Sequence, residues 1–197
     1  MNFGDDGDRS SAWLVHGERP VYENYWATIN TADVPTLDGS RFEHHKVYLP
    51  PAAIVVMVDD QGRVFMIWRH RFVSDTWGWE LPGAVVDDGE EPAETVAREA
   101  VEETGYRITG PLDYVATYQP MNGTVERPHH IFVAHGAERA GEPSERNEGH
   151  HAVWVPLDQI NSLIQRGLIS SSGTLIAVLH LVAISSTPQI GTATPSS

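Results

Sequence analysis

Two apolar segments separated by one polar turn constrain the fold most. Residues 52–58 read AAIVVMV, a continuous apolar run with the length of a strand, and residues 64–68 read VFMIW. The four residues Asp59-Asp60-Gln61-Gly62 between the two segments are typical of a turn. This pattern predicts a β-hairpin. The rest of the chain has mixed strand patterns and few helical ones, which favours an α/β or α+β fold.

The 197 residues are predicted to form one main domain, residues 51–185, preceded by a smaller group of strands, residues 13–50. Strands are expected at residues 25–29 and 41–48, and later near residues 114–118, 130–134 and 152–155. Helices are expected at residues 157–166 and 174–184. The two ends, residues 1–12 and 186–197, are rich in small and polar residues and are expected to be flexible tails.

Composition and charge exclude several classes of protein. Thirteen basic residues against 27 acidic ones leave a net charge of −14, which disfavours nucleic acids and anionic membranes as partners. The absence of cysteine excludes a disulfide scaffold, a zinc ribbon and a cysteine nucleophile. The first ten residues lack the apolar core of a signal peptide, and the longest apolar stretch is about half of the roughly 20 residues that a membrane span needs. A cytoplasmic protein is therefore expected.

An acidic helix is predicted between Pro92, which suits a first turn, and Gly105, which suits a helix end. Helical periodicity places Ala93, Ala97, Ala100, Val101 and Thr104 on one side. It places Glu99, Glu102 and Glu103 on the opposite side, where three carboxylates repel one another. Either this side is simply a solvated face, or it binds a hard divalent cation such as Mg²⁺ or Mn²⁺. Spacing alone leaves both interpretations open.

The segment around this helix resembles the Nudix box. The consensus of that box is Gly, five residues, Glu, seven residues, Arg-Glu, an aliphatic residue, one residue, Glu-Glu, one residue, Gly and an aliphatic residue. Every charged position and the second glycine are present in register, at Glu90, Arg98, Glu99, Glu102, Glu103 and Gly105. Two positions depart from the consensus: the opening glycine is Ala84, with Gly83 one position earlier, and the last aliphatic residue is Tyr106.

This resemblance implies a fold, a cofactor and a reaction. The fold is an α/β/α sandwich around a mixed sheet, here with additional antiparallel strands at the N-terminus. The acidic face of the helix is expected to bind Mg²⁺, for which Mn²⁺ could substitute. The usual reaction is attack of water on the diphosphate of a nucleoside diphosphate derivative, which yields a nucleoside monophosphate and a second phosphate. Metal ions suit this chemistry, because the substrate and the protein are both anionic.

The resemblance also implies roles for individual residues. The metal ligands are expected to be the side chains of Glu99, Glu102 and Glu103 and the backbone carbonyl of Ala84. Arg98 is expected to pair with Glu90 and orient the helix, and Gly105 is expected to have a structural role. Glu80 lies in a Trp-Glu-Leu-Pro element that is common before the box. We expect it to bind substrate, to be a further ligand or to hold the ligands in place.

Features outside the box resemble the ADP-ribose pyrophosphatase branch. Pro120 lies fifteen residues after Gly105, and Arg71 lies eight residues before Trp79, as in that branch. We therefore expect Arg71, Arg69, Glu80 and Pro120 at the substrate. The N-terminal strands are expected to form a homodimer. Glu148, six residues before Trp154, is expected to act on the attacking water in preference to Glu145, with Glu103 as the alternative.

Three functions remain open from the sequence. The first is a hydrolase of ADP-ribose or a similar nucleotide-sugar. The second is a hydrolase of nucleoside triphosphates or dinucleoside polyphosphates. The third is a module that senses nucleotides without turning them over, although the presence of Glu99, Glu102 and Glu103 argues against it.

Overall fold

The computed structural model describes residues 13–144 and 151–186, which form two compact units. The first unit comprises residues 13–50 and 121–127, and the second comprises residues 51–120 and the described residues from 128 onward. The expected tails, residues 1–12 and 186–197, lie outside the described residues, except that Ser186 ends the last helix.

The described residues form thirteen strands and three α-helices, of which the first helix lies between the seventh and eighth strands and the other two follow the last strand. The strands are β1 Gly17–Glu23, β2 Thr28–Pro35, β3 Arg41–Tyr48, β4 Ala52–Val58, β5 Arg63–Arg71, β6 Thr76–Glu80, β7 Gly83–Val85, β8 Tyr106–Ile108, β9 Leu112–Tyr118, β10 Val125–Glu126, β11 His129–His135, β12 Ala137–Arg139 and β13 His151–Pro156. The helices are α1 Pro92–Thr104, α2 Ile160–Gln165 and α3 Ser172–Ser186, and a 3₁₀ turn, Leu157–Gln159, precedes α2.

The first unit is a sheet with the strand order β1–β2–β3–β10, in which β10 runs parallel to β3 and the other pairs are antiparallel. The strand expected at residues 25–29 begins only at Thr28. The chain turns before that point because the Asn24 side-chain oxygen accepts hydrogen bonds from the N–H groups of Trp26 and Ala27, both at 2.8 Å. Strand β1 is not predicted from the sequence, since all its residues are exposed and it has no buried face.

The second unit contains a mixed sheet with the order β13–β5–β4–β11–β9. Strands β4 and β11 are parallel, and the other neighbours in this order are antiparallel. A separate two-stranded sheet pairs β8 with β12. The hairpin predicted from the two apolar segments is present as β4 and β5, and β4 has the predicted bounds.

The sheet of the second unit lies between two helical layers. On β4, Ala53 and Val55 pack in one core with Val96 of α1, whereas Ile54 and Val56 pack in the other core with residues of α2 and α3. Alternate side chains of a strand point to opposite faces, so a strand covered on both faces is apolar throughout. The expected α/β/α sandwich with a mixed sheet is therefore confirmed.

The sheet is split between β4 and β5. These strands pair at Val58 and Val64, near their connecting turn. Farther along, β6 pairs with β5 and β7 pairs with β4. The chain therefore crosses the split between β6 and β7, through residues 80–83, which we call the bridge.

Helix α1 begins and ends as the sequence predicts. Pro92 occupies the first turn, and the Glu94 carboxylate accepts a hydrogen bond from the Glu91 N–H at 3.1 Å. Gly105 ends the helix with φ of 73°, and a Cβ there would lie 2.3 Å from the carbonyl oxygen of Gly141. Glycine is therefore needed at this position for both conformation and space.

Within residues 13–144 and 151–186, no helix combines the length and apolar character that a bilayer crossing requires.

Candidate active site

The buried face of α1 differs from the predicted one. Periodicity places Ala93 and Ala97 on the side away from the glutamates, and both are exposed. It places Glu99 and Glu103 on the opposite side, yet both are buried. The buried residues of the helix are Thr95, Val96, Glu99, Ala100, Glu103 and Thr104. The interpretation of this side as simply a solvated face is therefore wrong for Glu99 and Glu103, which are buried with arginine partners.

Glu103 lies in a closed polar environment between α1 and the sheet. Arg69 of β5 donates a hydrogen bond to its carboxylate, and the Gly83 N–H donates a second at 3.0 Å. Burial raises the pKa of Glu103 to about 7, while Arg69 and the Gly83 N–H oppose that rise by favouring the ionised form. The Glu103 carboxylate is therefore connected to β5 through Arg69 and to the bridge through Gly83.

Arg69 is expected from the sequence to contact substrate, but in the structure it is buried. Its side chain is 3% exposed and contacts Glu103. A guanidinium that compensates a buried carboxylate is not available at the surface. In the structure Arg69 is thus a partner of Glu103, and its contact with substrate stays a prediction.

Arg98 lies at the centre of a second cluster of carboxylates. Its Nε and Nη2 donate to the two carboxylate oxygens of Glu90, both at 3.0 Å. Its Nη1 donates to Glu99 at 2.5 Å and to Glu102 at 2.9 Å. The expected pair of Arg98 with Glu90 is thus present, and Arg98 also joins two of the expected metal ligands.

Glu90 accepts one more hydrogen bond, from the Thr95 hydroxyl at 2.7 Å. The hydrogen bonds from Arg98 and Thr95 lower the pKa of Glu90 to about 2. Thr95 was not singled out from the sequence, because a threonine inside a helix gives no signal of a side-chain partner. The sequence did draw attention to Gly83, because this glycine lies one position before the opening position of the box.

The other expected site residues lie around the bridge or beyond it. Arg71, at the end of β5, donates to the Glu80 carboxylate at 2.5 and 3.0 Å. Ala84 lies in β7 opposite Ala53 of β4. Pro120 lies two residues after β9 and is the last residue of the segment 51–120 of the second unit. Glu148 and Glu145 lie outside the described residues.

The acidic residues differ in how well they fit a divalent cation. Among the described residues, no three His, Cys, Asp or Glu side chains form a group that could hold a metal ion. Glu99 and Glu102 nevertheless converge on one cationic nitrogen, Nη1 of Arg98, which occupies a position where positive charge is favoured. Carboxylate oxygens are the ligands that Mg²⁺ and Mn²⁺ prefer. The donor atoms therefore fit such a cation, provided that Nη1 withdraws from the two glutamates.

Comparisons with known proteins agree with this geometry. The profile of the NUDIX domain matches residues 48–172. The CMP-5′-(N-acetyl-N-hydroxy-3-aminopropyl)phosphonate hydrolase of Streptomyces rubellomurinus is 48% identical over 177 residues, which cover 90% of this chain and 85% of that protein. The ADP-ribose pyrophosphatase of Bacillus subtilis is 26% identical over 151 residues, which cover 76% of this chain and 81% of that protein.

A solved structure described as an ADP compounds hydrolase has the same fold. Its TM-score is 0.75, at 16% sequence identity, over 87% of this chain and 93% of that chain. The box residues are clustered in space, the domain profile spans more than half of the chain, and one hydrolase is similar over nearly all of it. On these grounds the chain belongs to the Nudix hydrolase family.

Proposed function

We propose that this hydrolase is a Mg²⁺-dependent pyrophosphohydrolase, with Mn²⁺ as a possible substitute, that cleaves the phosphoanhydride of a nucleotide conjugate. The supporting observation is the convergence of Glu99 and Glu102 on one cationic nitrogen, at 2.5 and 2.9 Å. A diphosphate is anionic and the protein has a net charge of −14, so contact between them requires intervening cations.

The first substrate class that we propose is a CMP conjugate of a phosphonate. The 48% identity to the Streptomyces rubellomurinus hydrolase, over 90% of this chain, supports it. In such a compound one bridging oxygen joins the phosphorus of CMP to a phosphorus that is bonded to carbon. The oxygen of water bonds to one phosphorus, the bond from that phosphorus to the bridging oxygen breaks, and the protons of water pass to the products or to solvent. CMP and the free phosphonate result, and the carbon–phosphorus bond is unchanged.

The second substrate class is ADP-ribose or a similar nucleotide-sugar. The similarity to the Bacillus subtilis pyrophosphatase supports it, as does the location of Arg71. The Arg71 side chain is 52% exposed, whereas that of its partner Glu80 is 10% exposed. The guanidinium can therefore contact a substrate diphosphate while Glu80 holds it in place.

The metal ligands in this proposal are the carboxylates of Glu99, Glu102 and Glu103 and the carbonyl of Ala84. A bound Mg²⁺ would polarise phosphoryl oxygens and lower the pKa of water. Arg98 remains on Glu90 and orients the helix.

The water-activating residue that we propose is Glu148, with Glu103 as the alternative. Both described ends of the segment that contains Glu148 lie near the site. The Ser144 N–H donates to the carbonyl of Glu102 at 2.9 Å, and His151 pairs with Trp68 of β5. Pro120, two residues after β9, is proposed to border the substrate.

The test is a panel of substrates incubated with the purified protein and Mg²⁺. The panel holds CMP-5′-(N-acetyl-N-hydroxy-3-aminopropyl)phosphonate, ADP-ribose, CTP, ATP and a dinucleoside tetraphosphate, and ³¹P NMR identifies the products. Cleavage of the CMP conjugate at the highest kcat/KM is expected. A preference for ADP-ribose would favour the second class, and a preference for triphosphates or dinucleoside polyphosphates would contradict both classes. Binding of all compounds without turnover would indicate a sensing module.

Water labelled with ¹⁸O identifies the phosphorus that is attacked. A label in CMP indicates attack on the nucleotide phosphorus, and a label in the phosphonate indicates attack on the other. An EDTA-treated sample without added Mg²⁺ is the control, and full activity in that sample would contradict the metal requirement.

We also propose that the protein is a cytoplasmic homodimer formed through residues 13–50. Large apolar side chains of the first unit are exposed, among them those of Trp13, Leu14, Tyr25, Trp26 and Leu37. Exposed apolar groups in such number are typical of a surface that associates.

Light scattering after size exclusion tests this proposal. We expect a dimeric mass for the wild type and a monomeric mass for the double variant Tyr25→Ser, Trp26→Ser. The matched control is Phe72→Ser, which removes an exposed aromatic side chain from the second unit and should leave the dimer intact. A monomeric wild type would contradict the proposal.

A further inference from the structure

The bridge between β6 and β7 is attached to the sheet and to the acidic helix. The Val55 N–H of β4 donates to the carbonyl of Pro82 at 3.0 Å. The Gly83 N–H donates to the Glu103 carboxylate of α1 at 3.0 Å. The geometry of Glu103 therefore depends on where the bridge places the Gly83 N–H.

A third hydrogen bond attaches the bridge to α3, in the layer on the other face of the sheet. The Leu81 N–H donates to the side-chain oxygen of Thr174 at 3.1 Å, across 93 residues of sequence. Leu81 is 4% exposed and Thr174 is 2% exposed, so water cannot readily replace this acceptor. Pro82 has no N–H, which leaves the N–H groups of Leu81 and Gly83 to hold this part of the backbone.

The start of α3 approaches the sheet closely enough for this contact. Gly173 precedes Thr174, and a Cβ at position 173 would lie 2.2 Å from Cδ1 of Ile54 on β4. The chain just before α3 also contacts β6, where the Trp79 N–H donates to the carbonyl of Leu168 at 2.8 Å. The first turn of α3 is thus close to β4, and the chain just before it is hydrogen-bonded to β6, the strand that leads into the bridge.

We propose that Thr174 is a positioning residue for hydrolysis. Its hydroxyl accepts a hydrogen bond from the Leu81 N–H, and through Leu81 it holds the residues at the two ends of the bridge. Those residues are Glu80, which holds Arg71, and Gly83, which holds Glu103. The expected effect on kcat rests on the proposed function. The hydrogen bond between Leu81 and Thr174 can be tested without substrate.

The test compares three variants of the full-length protein. Thr174→Val keeps the shape of the side chain and removes the acceptor, and Thr174→Ser keeps the acceptor. Val178→Ala creates a cavity on the same helix, at a fully buried position outside the site. Each is assayed for kcat, KM and thermal midpoint, and the hydrogen exchange of the Leu81 amide is measured by NMR without substrate.

A displaced bridge misplaces catalytic groups, so we expect Thr174→Val to lose about tenfold or more in kcat, with a smaller change in KM. Loss of the buried acceptor should also speed exchange of the Leu81 amide by about tenfold. Thr174→Ser should retain wild-type kcat and exchange. Val178→Ala should lower the thermal midpoint and leave kcat unchanged.

Two kinetic results would overturn the proposal. One is a wild-type kcat in Thr174→Val. The other is an equal loss of kcat in Val178→Ala and Thr174→Val at the same thermal midpoint, which would indicate a general effect of stability. If the wild type cleaves no conjugate of the panel, the proposed function fails separately. Unchanged Leu81 exchange in Thr174→Val would then overturn the positioning role, and faster exchange would support it.

Discussion

Arg69 of β5 and Glu103 of α1 form an ion pair in which 3% and 2% of the two side chains are exposed, although 34 residues separate them in sequence. Neither charge can be left alone at this depth without a large cost in free energy. The acidic helix is therefore joined to the sheet by a specific charge pair in addition to its apolar contacts.

Replacement of Arg69 by glutamine is expected to lower the free energy of unfolding by about 3–5 kcal/mol, because it leaves a buried carboxylate uncompensated. The double variant Arg69→Gln, Glu103→Gln should recover part of that loss, since a neutral pair replaces the single charge. Urea denaturation of the wild type, the two single variants Arg69→Gln and Glu103→Gln, and the double variant measures the coupling free energy between the two side chains.

The matched control for this cycle is Arg63→Gln, which removes one partner of the Arg63–Asp59 pair in the turn of the hairpin. The Arg63 side chain is 36% exposed, so a loss of about 1 kcal/mol or less is expected. Equal losses from Arg63→Gln and Arg69→Gln would contradict the special position of Arg69.

Glu102→Gln is expected to reduce kcat by at least about a hundredfold, because it removes charge from a proposed metal ligand. The Glu102 side chain is 36% exposed, so the thermal midpoint should change little. Binding of Mn²⁺, followed by electron paramagnetic resonance, should weaken in parallel. Glu138→Gln removes one exposed carboxylate outside the site and should change neither quantity. Near-normal turnover in Glu102→Gln would exclude its role as a ligand.

Gly83→Ala is expected to lower the free energy of unfolding by about 3 kcal/mol and to reduce kcat. The new Cβ would lie 2.3 Å from the carbonyl oxygen of Ala53, so β7 must move away from β4. That movement displaces the Gly83 N–H, which donates a hydrogen bond to the Glu103 carboxylate. Gly141→Ala, where the added carbon meets open space, is the control. Wild-type stability and kcat in Gly83→Ala would show that the close approach is unimportant.

The contribution of Glu90 to stability is expected to depend on pH. Its pKa in the folded protein is lowered to about 2, from an ordinary value of 4.5. Because the folded value is the lower one, the ionised carboxylate stabilises the fold above the ordinary pKa, and this contribution is lost as the pH falls toward 2. Wild type and Glu90→Gln should therefore differ by about 2 kcal/mol near neutral pH. This difference should shrink below about pH 4.5. Urea denaturation at several pH values measures it, and a difference that stays constant into acid would contradict the shifted pKa.

The elements with a continuous local pattern could be predicted from the sequence. Strand β4 has the predicted bounds because it is apolar at every position, and α1 is recognisable from Pro92 and Gly105 at its ends. Strands β6 and β7 could not be predicted, because they are short and their pairing depends on the split between β4 and β5. Their existence is a property of the assembled sheet.

One pair of the candidate site could be predicted from the sequence, whereas the burial of its glutamates could not. The Arg98–Glu90 pair follows from the box, and both residues lie within one segment of the chain. The burial of Glu103 could not be predicted, since it requires Arg69, from a distant strand, beside its carboxylate. Thr174 is also distant in sequence from the residue it contacts, and helical periodicity contains no information on such pairs.

The alternation of side chains along β4 separates two kinds of evolutionary change. Substitutions at Ala53, Val55 or Met57 alter the packing beneath the acidic helix, whereas substitutions at Ile54 or Val56 alter the layer that contains α3. Substitutions at two neighbouring positions of β4 therefore change the packing on opposite faces of the sheet. A stretch of seven residues therefore contributes both to the layer that contains α1 and to the opposite layer.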